Sequence, residues 1–391
     1  MTTALDHAQA YVDALRSIGE QIAGPNAGEV DYEARFPAEA VAALREAGAM
    51  SALVPAELGG GAVPLGAVAE GCFELARHCA ATGMVLAMHH IQVGTIARHL
   101  DGSQWFEDYL RSVAAEQRLI ASATSEIGTG GDMSRSIAPV TPSEDGKLSF
   151  EKQAPTVSYG AKADDLLTTV RRAPDADEGD QVMVLSRSGE HELEPTGTWD
   201  TLGMRGTCSP GFVVRARFEP EQILPAPFSR VMNESMVPLS HILWSFVWLG
   251  IASDAFARGR SFVRAAARRS PGEPVPAAHS LSRVMSELTM LRAEVRSGLE
   301  DFIAWSEERD RERLGTMGSV LRFNNLKLAA SEQAARICAN VLEVIGIAAY
   351  KNDSPYSVGR HLRDALSARL MVANERIHTV DAGLLMIAKE L

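Results

Sequence analysis

The run Ser125-Glu-Ile-Gly-Thr-Gly-Gly-Asp132 places a hydroxyl, two carboxylates and four small residues within eight positions. Small residues let backbone N–H groups approach an anion closely, so such a loop can cradle a phosphate. The same composition also suits a plain glycine-rich turn. A second candidate is Trp199-Asp-Thr-Leu-Gly-Met-Arg-Gly-Thr-Cys-Ser-Pro-Gly-Phe212, rich in hydroxyls and glycine beside one arginine. Its alternative is a decorated connection between strands.

Other chemistries find little support. Ten histidines invite a metal reading, but His89 and His90 are adjacent and point about 100° apart on a helix. No His-x-x-x-His or Cys-x-x-Cys spacing occurs, so no protein-bound metal is expected. No Gly-x-Ser-x-Gly elbow and no strand-linked Gly-x-Gly-x-x-Gly is present. The four cysteines are too few for a disulfide framework, and Cys72 and Cys79 read as small apolar side chains on a helix.

The elements that must position these residues fall into three textures. Apolar positions at helical spacing mark Ala8–Ile22, Ala38–Ala49, Cys72–Leu86, Ile91–Leu100 and Ser103–Ala115. Short β-branched runs follow at Leu119–Thr124, Leu166–Arg171, Gln181–Ser186 and Phe212–Phe218, separated by turn-forming pieces. Four long helical stretches close the chain: Ser240–Ala267, Ala278–Glu308, Leu314–Ile345 and Val358–Glu390. The expected fold class is α+β and multi-domain, mostly α. Its parts are an N-terminal helical domain over 1–118, a middle β-barrel or sandwich domain over 119–225, and a C-terminal four-helix bundle over 226–391.

A length of 391 residues allows two or three domains, and 46% hydrophobic with 23% charged residues is globular composition. The net charge of −12 disfavours nucleic acid and anionic membrane surfaces. Asp6 and His7 stand where an export signal would have its apolar core. The longest apolar run, Ile242–Ile251, is too short to span a bilayer. A cytoplasmic protein is expected.

In this order, the pieces resemble the acyl-CoA dehydrogenase superfamily of flavoproteins over nearly the whole chain. The residues that carry the resemblance are Ser125–Asp132, Thr156–Asp164, Leu202–Ser209 with Phe218-Glu-Pro220, and Arg363-Asp364-Ala365. The resemblance implies FAD between the β domain and the bundle, in a homodimer or homotetramer whose second subunit completes the site. It assigns cofactor contacts to Thr124, Ser125, Gly130, Gly131, Thr156 and Ser158. Arg268 would reach a neighbouring subunit's diphosphate, and Gly346 would allow close backbone approach, although only Gly346 and Tyr350 match the family in that stretch.

It also implies an acyl-CoA or other acyl thioester as substrate, with a flavoprotein or oxygen as electron acceptor. Dehydrogenation needs a carboxylate base for the weakly acidic α-proton. In most of the family that Glu stands eight residues after the Asp of Arg-Asp-Ala, where this chain has Val372. The alternative family position, ten residues before the Gly of Leu249-Gly250, is Ser240. Glu375, nearly one helical turn beyond Val372, and His241 are therefore the candidate bases, with Glu234 a weaker one. The strand tryptophan that backs the flavin is replaced by Thr156. Three readings stay open: a dehydrogenase with a relocated base, a flavin-dependent monooxygenase of the same superfamily, and a non-catalytic subunit of a heteromeric dehydrogenase. Met236, Leu239, Leu243 and Phe246 are the expected pocket lining. Arg268 is the one arginine of the stripe Arg258, Arg260, Arg264, Arg268 and Arg269 expected to meet a phosphate.

Overall fold

The computed structural model describes residues 4–130, 132–143 and 145–388. Helix α1 (Ala4–Ile18) runs through a π-turn into α2 (Gly24–Tyr32). Four more helices, α3 (Ala38–Glu46), α4 (Leu65–His78), α5 (Ala80–Arg98) and α6 (Gln104–Glu116), complete an N-terminal block. The helix expected across Cys72–Leu86 is interrupted at Cys79, whose backbone is extended (φ −143°, ψ 106°). The break lets α5 fold back on α4 so closely that a Cβ on Gly83 would lie 2.9 Å from the Cys72 carbonyl oxygen. Cys72 and Cys79 are buried free thiols.

Seven strands follow: β1 (Ile120–Ala123), β2 (Thr141–Pro142), β3 (Leu148–Ala154), β4 (Asp165–Arg171), β5 (Gln181–Ser186), β6 (His191–Pro195) and β7 (Phe212–Phe218). They form two sheets, β1-β4-β5 and β2-β3-β7-β6. The first joins β1 to β4 in parallel and β4 to β5 in antiparallel; the second is antiparallel throughout. Strands β4 and β5 are buried almost end to end, which explains their continuous apolar runs. The inner faces of both sheets join the helices in one hydrophobic core.

The C-terminal region contains α7 (Phe228–Val231), α8 (Val237–Arg269), α9 (Pro276–Trp305), α10 (Met317–Ile345), α11 (Ile347–Tyr350), α12 (Gly359–Leu366) and α13 (Asn374–Leu385). The stretch Phe228–Arg269 is long and apolar enough to cross a membrane, yet 89% of its most apolar window is buried inside the fold. It is the core helix against which α4, α5, α9 and α10 pack. The fourth helix expected over Val358–Glu390 is not continuous. After α12 the chain makes a 3-10 turn, Ser367–Arg369, and Val372 then takes a left-handed backbone (φ +46°). A β-branched residue at positive φ cannot continue an α-helix. The Val372 carbonyl oxygen instead accepts a hydrogen bond from Lys327 Nζ on α10, at 2.8 Å.

Three segments far apart in sequence meet at one joint. The Arg363 guanidinium pairs with both carboxylate oxygens of Asp31 and also donates to the Leu202 carbonyl at 2.8 Å. Arg205 Nε donates to the Asp31 carbonyl at 2.8 Å, and the Met204 N–H donates to Asp364 Oδ1 at 2.6 Å. Two of the motifs that carry the family resemblance therefore bind one another and the N-terminal block. Their residues hold the three regions together.

Burial pushes the Asp364 carboxyl up to about 6, against the opposing effects of the Met204 N–H and Arg360. An unfolded Asp titrates near ~3.9, so between about pH 4 and 6 the folded state binds the extra proton. The parent chain should therefore lose stability relative to Asp364→Asn as pH rises through that window. Urea midpoints of both proteins at pH 4.5 and 7 measure this, and a relative gain by the parent at pH 7 would contradict it.

Candidate functional site

The cradle is built where β1 and β3 run out of their sheets. Beyond Ala123 the chain turns into the 124–132 loop, and Ser125 Oγ donates to the Thr156 carbonyl at 3.1 Å. Thr156 and Ser158 lie in the bend after β3, not on the strand expected there. Ser158 Oγ accepts from Ser209 Oγ at 3.0 Å, which ties this bend to the Gly-Met-Arg-Gly-Thr run. Gly128 and Gly130 have φ of +95° and +62°, a backbone that glycine adopts without strain. No atom lies within 4 Å of where a Gly130 Cβ would stand, so the loop opens outward. Ser125 thus meets Thr156 along one rim, with Ser158 two residues further on, and Thr124 and Gly130 belong to the loop that adjoins it. Gly131 lies outside the described residues.

Beneath the rim lies a buried ion pair. Glu126 accepts hydrogen bonds from Ser136 Oγ (2.6 Å), the Ala138 N–H (2.7 Å) and the Ile137 N–H (3.1 Å), which lock the return of the loop. Lys152, fully buried on β3, lies 3.8 Å from Glu126 and donates to the carbonyls of Thr169 (2.6 Å) and Thr124 (3.1 Å). Burial pushes its ammonium down to about 8, with Glu126 acting against the shift. The sequence motifs point to neither role. The signal was the period of two, since Phe150, Lys152 and Ala154 share the inward face of β3.

The bundle contributes Arg376 from the first turn of α13, whose Nη1 donates to the Gly130 carbonyl. Burial acts to raise the Asp132 carboxyl. Bonds from the Ser134 hydroxyl and N–H, together with Arg376 and Arg135, outweigh it and hold the group below its usual range.

The two expected bases do not assemble with this rim. His241 is buried on α8, its Nδ1 sits 3.0 Å from the Phe323 carbonyl, and burial with the nearby Lys327 pushes it down to about 3. It is neutral at physiological pH and a poor proton acceptor, which corrects the expectation of a base near its ordinary value. Glu375 was placed by helical spacing from Val372, but the chain between them is a turn and not a helix. Its carboxylate is exposed in the first turn of α13. Ser240 and Val372 stand at the two family positions, without a carboxylate at either.

The ionisable group that does lie beside Val372 is Lys327. Its Nζ donates to the Val372 carbonyl and to Asn374 Oδ1 (2.5 Å), and burial pushes it down to about 7. Arg268 is exposed in the last turn of α8, and Gly346 (φ +73°) caps the end of α10. No described hydrogen bond or ion pair joins either to the cradle. His89 is a core histidine: Nδ1 accepts from the Ile120 N–H (3.1 Å) and Nε2 donates to the Met50 carbonyl (2.7 Å). Of the expected pocket residues, Leu239 lines a cavity of about 210 Å³ with Leu53, Gly94, Arg98 and Phe302, whereas Met236, Leu243 and Phe246 are packed core. Among the described residues no group of three or more His, Cys, Asp or Glu could hold a metal ion.

Residues 6–117 match the acyl-CoA dehydrogenase N-terminal domain. The chain is 25% identical over 371 residues to a probable acyl-CoA dehydrogenase, fadE25, of Mycobacterium leprae, covering 94% of this chain and 92% of that one. The N-terminal block is thus an acyl-CoA dehydrogenase N-terminal domain, and the whole chain is similar to acyl-CoA dehydrogenase superfamily members. Its relatives within the superfamily differ in reaction. A dibenzothiophene monooxygenase of Rhodococcus qingshengii is 26% identical over 339 residues, covering 78% of this chain and 76% of that one. FMN-bound TdsC from Paenibacillus sp. A11-2 has the same fold, with a TM-score of 0.82 at 19% identity over 96% of this chain and 97% of that one. FMN-bound TdsC is named for its flavin, and the superfamily is one of flavoproteins.

Proposed function

We propose that this protein is a flavin-dependent monooxygenase of that superfamily. The observation that carries the reading is the lack of a carboxylate at both usual base positions, Ser240 and Val372, together with a neutral, buried His241. Bound reduced flavin would supply two electrons to dioxygen, with one oxygen atom entering the substrate and the other leaving as water. That chemistry does not call for a protein carboxylate to take a carbon-bound proton. The protein's part is to bind and orient. Ser125 and Ser158 would meet the ring edge, Gly130 and Arg376 the phosphate, and the buried pair Glu126–Lys152 would hold the loop in shape. Support also comes from the likeness to the dibenzothiophene monooxygenase and to FMN-bound TdsC. The cofactor on this reading is FMN or FAD, since the rim would meet the ring and the first phosphate, which both share.

A second reading is α,β-dehydrogenation of an acyl thioester with Glu375 as base. It is favoured by the position of Glu375, which is next to Arg376 and so within one residue of a side chain that touches the cradle.

One experiment separates the two. The flavin-loaded protein is mixed anaerobically with a panel of acyl-CoA thioesters and followed at the flavin absorption band. On the first reading no thioester bleaches the flavin, and the chemically reduced protein consumes oxygen on mixing with air. Bleaching without oxygen, abolished in Glu375→Gln, would establish the second reading and overturn the first. A protein that takes up no flavin would overturn both and favour a non-catalytic subunit.

A further inference from the structure

Lys327 lies on α10, which faces the C-terminal turn and not the cradle, yet a continuous line of contacts leads from it to the glycine loop. Its side chain is fully buried. Nζ holds the Val372 carbonyl at 2.8 Å and Asn374 Oδ1 at 2.5 Å. One turn further along the same face of α10, Ser331 exchanges hydrogen bonds with the Asn374 side-chain amide at 3.1 and 3.3 Å. Asn374 opens α13, and two residues later Arg376 reaches the Gly130 carbonyl.

The turn held in this way is strained. Val372 is a β-branched residue with φ +46°, and a backbone of that kind persists only where its surroundings over-determine it. Lys327 Nζ is the one described donor on the Val372 carbonyl. Without it the valine can relax towards the β region, and such a move rotates the first turn of α13 and withdraws Arg376 from the loop. Among the described residues Arg376 has no other hydrogen-bond or ion-pair partner; beyond the Gly130 carbonyl, only the longer-range attraction of the Asp132 carboxylate on the same loop acts on its guanidinium.

We propose that Lys327 is a positioning residue for flavin binding: by holding the Val372–Asn374 turn it sets the reach of Arg376 to the Gly130 loop. The inference rests on the reading that a flavin occupies the cradle.

The test is a double-mutant cycle read by flavin affinity and not by turnover. FMN and FAD are titrated by fluorescence quenching into the parent, Lys327→Met, Arg376→Ala and the double variant. Each single variant should weaken the better-bound flavin about tenfold. The double variant should be no weaker than about tenfold, because both substitutions break one line of contacts. The visible circular dichroism of the bound flavin should change in the same way in all three. Losses that multiply to about a hundredfold, or an undiminished affinity in Lys327→Met, would overturn the proposal. If Lys327→Met does not fold, Lys327→Gln takes its place in the cycle with the same expectation of non-additivity. A parent that binds neither flavin overturns the cradle reading and this inference together. A parent that binds flavin beside a Lys327→Met that binds equally well overturns the inference alone.

Discussion

Gly203→Ala should be among the most damaging single-methyl substitutions at the described glycines. A Cβ at this position would stand 2.2 Å from the Arg363 carbonyl oxygen and 2.7 Å from the Asp364 N–H nitrogen, both backbone atoms that cannot rotate away. The joint would have to open, separating Arg363 from Asp31 and Asp364 from the Met204 N–H. Overpacking of this kind costs about 3 kcal/mol, and the half-buried Arg363–Asp31 pair is lost with it. At ~2–4 °C per kcal/mol for large domains, the first thermal transition should fall by about 6–12 °C. Differential scanning fluorimetry with soluble yield as a second readout measures it. An unchanged transition would mean that the joint yields without consequence.

Lys152→Ala should have an effect of similar size, concentrated at the cradle. The substitution leaves Glu126 buried without its cation and strips donors from the carbonyls of Thr124 and Thr169. Removing one partner of a buried pair costs about 3–5 kcal/mol, because the remaining charge is stranded. The lost donor on Thr124 lies at the start of the glycine loop, so flavin affinity should fall together with the urea midpoint. Lys152→Met keeps the apolar stem and should lie between parent and alanine in both measurements. Retention of the parent midpoint by Lys152→Ala would show that Glu126 is satisfied by Ser136 and its two N–H donors alone.

The contrast between Lys152 and Lys327 shows where sequence reading reaches and where it ends. A strand alternates strictly, so a lysine between Phe150 and Ala154 on the inward parity is a buried lysine by pattern. A helix tolerates a single long cation almost anywhere, since its stem can snorkel to solvent. Nothing in the spacing of Asn324, Lys327 and Ser331 separates a buried polar face from an exposed one.

The same asymmetry governs the elements. Strands β4, β5 and β7 and the long helices were legible because apolar period and burial coincide. Strand β6, His191-Glu-Leu-Glu-Pro195, is a polar edge strand whose pairing is invisible to hydrophobicity. The fourth bundle helix failed as an expectation because its ladder is cut by a hydrogen bond from α10, a partner 45 residues away. The helical spacing that linked Glu375 to Val372 failed with it, because that spacing borrowed the geometry of the same helix. His241 sits where the chain order placed it, and only packing could reveal that burial had disarmed it.

The joint at Asp31 has a consequence for how the chain is made. The Arg363–Asp31 pair closes a loop of 332 residues, so it cannot form until Arg363 itself has left the ribosome. Until then the Asp31 carboxylate, the Met204 N–H and the surface around Gly203 wait without their partners. Closing so long a loop carries a conformational penalty that grows only slowly with length, but it must be met before the contact yields anything. The nascent protein therefore spends its synthesis with an N-terminal block and a β region that are built but not yet latched. A stalled or truncated product ending before residue 363 would present that open seam to chaperones and proteases. The segment around Arg363 thus latches the blocks made before it.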